Sequence, residues 1–68
     1  MEFQLKLEFI ELDNLLKVLE LVASGAVARQ SIQLGVVKVN GQVEIRIRRK
    51  LRLGDSVEFR EQRISIVK

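Results

Sequence analysis

The sequence predicts an α+β fold, with two short helices packed against a small, mostly antiparallel sheet, and three observations predict it. Apolar residues alternate with polar ones near both ends of the chain and around Asn40-Gly41, the period of half-buried strands. Between Leu12 and Leu34 they recur instead at helical spacing. Two turn dipeptides, Asn40-Gly41 and Gly54-Asp55, punctuate the alternating segments. No repeat, low-complexity segment or proline suggests a linker, so the 68 residues read as one domain, 1–68. A chain of this length buries only about 60% of its unfolded surface, which makes the core thin and a deep cleft hard to build.

Taken in order, Phe3, Leu5, Leu7 and Phe9 alternate with Glu2, Gln4, Lys6 and Glu8, which predicts an opening strand with these four apolar side chains turned inward. From Leu12 the period changes, and Leu12, Leu15, Leu16, Leu19 and Val22 form the apolar stripe of a first helix, with Asp13 or a neighbouring polar residue placed to cap it. Ala23-Ser24-Gly25 interrupts that stripe. Ser24 is the expected N-cap of a second helix that runs to about Leu34 and is stopped by Gly35. There Ala28 and Ile32 lie inward, whereas Arg29, Gln30 and Gln33 share the other side, with Arg29 and Gln33 one turn apart and able to reach one ligand. Asn40-Gly41 supplies the two positive φ angles of a type I′ hairpin. Around it Val37, Val39, Val43, Ile45 and Ile47 fall on alternate positions as a core face, with Lys38, Glu44, Arg46 and Arg48 on the opposite side. Leu51 and Leu53 lead to the Gly54-Asp55 turn, and Val57, Phe59, Ile64 and Ile66 resume the alternation to complete the sheet.

Composition narrows the chemistry. Without cysteine there are no disulfides or thiolate metal ligands, and without histidine the commonest metal ligand and general base are missing, which argues against hydrolytic or redox catalysis. The reading is non-enzymatic and calls for no cofactor or metal. No apolar run approaches the roughly 18 residues of a membrane span, and the start of the chain lacks a basic-then-hydrophobic signal, so the expectation is a cytoplasmic protein without membrane contact. The net charge of +3 hides an asymmetry: residues 1–22 hold two lysines against five acids, while Arg29, Lys38, Arg46, Arg48, Arg49, Lys50 and Arg52 face only Glu44. Such a cluster attracts polyanions, although clustered cations also protect exposed strand edges from association.

Several of these residues occur in the order and spacing of one family. Leu12-Asp13-Asn14-Leu15-Leu16, the corner Ser24-Gly25, Ala28-Arg29 with Ile32, then Gly35, Val37, Val39-Asn40-Gly41, Leu51, Leu53-Gly54-Asp55 and Val57 together resemble the S4-type RNA-binding domain. That module occurs in a ribosomal protein, pseudouridine synthases, a heat-shock ribosome-recycling protein and tyrosyl-tRNA synthetases. The leading strand and the length are similar to small bacterial S4-like proteins that consist of little else. Val27 stands where those proteins often carry an acid, which removes the capping box on Ser24. Ile47-Arg48 stand where a basic residue followed by glycine is common. The resemblance implies the α-L motif, with helix two and the following hairpin and loop as the RNA-facing surface. Position by position it implies Arg29, Lys38, Arg46, Arg48, Arg49, Lys50 and Arg52 as RNA-binding residues, with Gln33 as a hydrogen-bonding partner.

The expected function is therefore non-catalytic binding of structured RNA, ribosomal or transfer RNA, by a monomer using arginine forks and lysine point charges on phosphates. The aromatic residues Phe3, Phe9 and Phe59 all fall on inward strand positions, so the stacking platform of single-strand binders is missing. The alternative is a protein-interaction module or adaptor in a ribosome-associated or RNA-processing complex, docking through the acidic first helix or the basic face. Asp55 reads as a turn residue and Glu44 as a hairpin salt-bridge partner, each ahead of a catalytic role.

Overall fold

Alternation becomes strand only where a partner backbone is present, and this decides the boundaries. In the computed structural model, which describes residues 1–68, the elements are β1 (Glu2–Gln4), β2 (Ile10–Glu11), α1 (Leu12–Val18), α2 (Gly25–Gln33), β3 (Val37–Val39), β4 (Gln42–Val43), β5 (Lys50–Leu51), β6 (Ser56–Phe59) and β7 (Gln62–Val67). Five strands form one sheet in the order β1-β7-β6-β3-β4, and β2 pairs with β5 in a separate ribbon. Only β1 and β7 run parallel, so the α+β, mostly antiparallel expectation holds. No helix is long and apolar enough to cross a membrane.

The opening strand is shorter than its pattern. Pairing with β7 ends where Gln4 faces Val67, after which the Leu5 amide donates to the Val67 carbonyl at 2.7 Å. Beyond that point the strand pairing stops, and Leu7, expected on the core face, is 80% exposed. The chain re-enters a sheet only at Ile10, opposite Leu51.

Both helices end in the same hydrogen-bonded turn. In α1 the Leu21 amide donates to the Leu16 carbonyl and the Glu20 amide to Lys17, a Schellman arrangement that forces Glu20 to φ +59°. That stop comes before Val22, so the first helix is a turn shorter than its apolar stripe, although Val22 is still buried. In α2 the equivalent bonds run from Val36 to Ser31 and from Gly35 to Ile32, and Gly35 takes φ +79° without a Cβ penalty. Ser24 caps α2 as expected, accepting from the Val27 amide at 3.3 Å without the acid of a capping box. Asp13 does not cap α1. It lies inside the first turn, and the N-cap is Glu11, whose side chain makes no capping bond.

One continuous core fills the space between helices and sheet. Leu12, Leu15, Leu16, Ala28 and Ile32 from the helices meet Val37, Val39, Val57, Phe59, Ile64 and Ile66 from the sheet, with Leu51 closing one end. Asn40 and Gly41 adopt φ +53° and +84°, as a type I′ turn requires. A two-residue turn pairs Val39 with Gln42 and Lys38 with Val43, so odd positions after the turn share a face with even positions before it. Val43 and Ile45 are consequently 56% and 62% exposed, not core. Glu44, expected to point outward, is buried on the Val37 side, its amide donating to the Val37 carbonyl at 2.9 Å.

Candidate nucleic-acid interface

The basic residues sit on a loop between β4 and β6 whose two ends are tied together. Asn40 opens this excursion and Asp55 closes it: the Asn40 side-chain amide donates to Asp55 Oδ1 at 3.0 Å, and Asn40 Oδ1 accepts from the Ser56 amide at 2.9 Å. Asp55 Oδ2 also accepts from the Arg52 amide at 2.8 Å. Partial burial raises the Asp55 pKa, but the Arg52 amide, the Asn40 amide and the charges of Arg49 and Arg52 outweigh it and leave the carboxyl below its ordinary value. Asn40 and Asp55 thus act as a clasp at the root of the loop.

The middle of the loop is held by the start of α1. The first amides of a helix have no partner within it, and here the Leu12 amide donates to the Arg49 carbonyl at 2.9 Å and the Asp13 amide to the Ile47 carbonyl at 3.1 Å. These bonds do the work that a capping side chain would do on Glu11 or Asp13, and they fix the loop backbone against the helix. Ile47 packs against the core from the same turn, and β5 pairs with β2 immediately after it.

Glu44 organises the side chains. Its Oε2 accepts from the Arg46 amide and from Arg46 Nε, each at 3.0 Å, and its Oε1 accepts from Arg46 Nη2 at 2.9 Å and Arg49 Nη1 at 2.6 Å. The side-chain bond from Arg46 is the main reason the Glu44 pKa falls to about 2; burial opposes the fall, and the Arg46 amide and Arg49 add to it. The same pairing raises the pKa of Arg46. No buried polar side-chain atom in the protein is left without a partner.

Two further cations rest on an aromatic ring. Lys50 Nζ stands 4.8 Å from the centroid of Phe9 and the Arg52 guanidinium carbon 5.6 Å from it, both within cation-π range. Phe3 and Phe59 belong to the core or pack against it as expected, whereas Phe9 is half-buried, lies outside any strand and carries this charged cover. Arg46, Arg48, Arg49 and Lys50 together line one open concavity to which no apolar residue contributes. Arg48 is exposed and makes no ion pair or side-chain hydrogen bond.

The other residues singled out by sequence lie elsewhere. Arg29 is exposed on α2, its Nη1 3.7 Å from where a Cβ on Gly25 would stand, so it leans toward the helix start. Gln33 lines a separate shallow concavity with Gln30 and Leu34, and the two side chains do not converge. Lys38 projects from the sheet face opposite the core, paired across strands with Glu58 and Val43 and beside Arg60 and Glu61. Sequence reasoning named Glu44 as a salt-bridge partner, as its pairs with Arg46 and Arg49 show, but placed it outward, and it missed the cations on Phe9. The parity of the two-residue turn could have placed Glu44 inward; nothing local to Phe9 announces its cations, because Lys50 and Arg52 reach it across the β2/β5 pairing.

The chain has no significant match among curated proteins. Residues 3–67 match the family model described as S4 domain, and with nearly the whole chain covered this protein belongs to the S4 domain family, whose members are generally RNA-binding modules and typically non-enzymatic.

Proposed function

We propose that the protein binds structured RNA without catalysis, through the Arg46 to Arg52 loop, with Arg29 and Gln33 on α2 extending the contact and ribosomal or transfer RNA as the target. The observation that carries this reading is the concavity lined by Arg46, Arg48, Arg49 and Lys50, held by a clasp at its root and by the α1 amides at its centre. A phosphate there meets guanidinium forks and an ammonium on a backbone already in place, so little ordering is needed on binding. The cationic lining residues and the absence of an exposed aromatic platform favour recognition of backbone shape over base stacking. Lys38, on the opposite sheet face, is a peripheral contact in this reading.

Titration of the nuclease-treated protein with a structured RNA, a matched DNA duplex and a single strand at several salt concentrations tests it. Engagement of about five phosphates gives a log–log salt slope of about −4, and Arg48→Ala, which removes the one unpartnered loop cation, flattens that slope by about one unit without moving the thermal midpoint. A flat salt response, or a slope unchanged in Arg48→Ala, removes the loop from the site. A second reading, an adaptor toward another protein, is favoured by the exposed Leu34, Val43 and Ile45, with Val43 lying beside Gly35. Nuclease-sensitive ultraviolet absorbance on the purified protein supports RNA; its absence together with no RNA binding supports the adaptor.

A further inference from the structure

We infer that Glu44, the acid that pairs with the arginines of the basic loop, is a positioning residue for RNA binding: it presets Arg46 and Arg49 in one arrangement, so removing its negative charge weakens binding to a polyanion instead of strengthening it. This rests on the RNA-binding reading above and adds how the site is built.

The position itself is unusual for an acid. By the parity of the hairpin it faces inward beside Val37, where an apolar side chain would pack at lower cost than a carboxylate that must be desolvated. The carboxylate is 8% exposed and accepts four hydrogen bonds, all from Arg46 and Arg49. The arginines are held without being used up. Arg46 spends two of its five side-chain N–H groups on the fork and remains 70% exposed; Arg49 spends one and remains 28% exposed. Their remaining donors are available to a ligand in the concavity that both line with Arg48 and Lys50. Between them the three groups keep a net positive charge of one.

A plain counter-charge would predict the opposite effect. Removing one negative charge about 7 Å from a bound phosphate in a water-like medium tightens binding about threefold. Releasing two long side chains that must then be immobilised by the ligand weakens it by about two- to twelvefold for each. Ordering outweighs charge, and the net expectation is binding weaker by about tenfold.

The test is Glu44→Gln in the full chain, titrated with a short structured RNA hairpin at two salt concentrations, with the arginine Nε–Hε resonances recorded in parallel. The expected result is affinity about tenfold lower, an unchanged salt slope because the same phosphates are met, and loss of the distinct Arg46 Nε–Hε signal. Equal or tighter binding by a folded Glu44→Gln overturns the inference while leaving the RNA reading standing. A wild-type chain that shows no salt-sensitive RNA binding overturns both. The variant Glu44→Asp keeps every charge and every arginine but is too short to hold Arg46 and Arg49 in the same arrangement, and it carries the test if Glu44→Gln fails to fold. It is expected to match the loss in Glu44→Gln, and wild-type affinity in this variant also overturns the inference.

Discussion

Acidification protonates Glu44, and the geometry sets how much stability goes with it. The carboxyl titrates at about 2 in the folded chain against 4.5 for an ordinary glutamate. Because the folded value is the lower one, the contribution is fully present above the unfolded value and is lost as pH falls from 4.5 through about 2. A displacement of that size corresponds to about 3 kcal/mol at neutral pH. The groups that cover the carboxylate face water, Arg46 being 70% exposed, and solvent screening brings the working value to about 1–2 kcal/mol. That is a large share of the roughly 3–10 kcal/mol expected for a domain of this length. The assay is thermal and urea unfolding of wild type and Glu44→Gln at several pH values between about pH 7 and pH 2, followed by circular dichroism. Glutamine does not titrate, and Asp55, depressed in the same direction, is common to both chains. The stability gap between the two proteins is therefore expected to narrow by about 1–2 kcal/mol on acidification, or about 4–16 °C in the midpoint. A gap that stays constant from neutral to acidic pH refutes the assignment of the four hydrogen bonds to an ionised Glu44.

Two further outcomes follow from particular contacts. Phe9→Leu keeps apolar bulk but removes the ring face beneath Lys50 and Arg52, and is expected to cost about 1 kcal/mol of stability and to weaken RNA binding a few-fold; denaturation and RNA titration check this, and unchanged RNA affinity would leave the ring with a packing role alone. Glu61 sits at φ +67° in the two-residue turn between β6 and β7, so Glu61→Gly is expected to raise stability by about 1 kcal/mol in urea unfolding, and a lower midpoint concentration would show that the turn is not strained there.

Hairpin chemistry made some of the loop legible and hid the rest. Asn40-Gly41 announced its turn because both positions need positive φ. The β6–β7 hairpin makes the same kind of turn through Arg60 and Glu61, at φ +51° and +67°, and no glycine or asparagine marks it. There the pairing of Phe59 with Gln62 and the core residues Ile64 and Ile66 hold the turn, so tertiary packing overrides local preference. The face assignment of Val43, Glu44 and Ile45 depended on counting residues across the turn, since a two-residue loop exchanges odd for even and moves every side chain to the other face.

Periodicity by itself determined the α+β class, the two helices and most of the core, because burial on one face imposes a spacing that any later arrangement must respect, and residue type determined the capping by Ser24 and the stop at Gly35. Charge clustering determined which segment gathers most of the cations. Only the tertiary structure decided how those charges are arranged. Strand β1 needed β7 beside it, the α1 amides needed the carbonyls of Ile47 and Arg49, Phe9 needed the β2/β5 pairing to receive Lys50 and Arg52, and Asn40 needed Asp55 to close the loop. Each is a contact between residues far apart in the chain or on separate elements, and a hydrogen bond or ion pair of that kind depends on distances that exist only once the chain has folded.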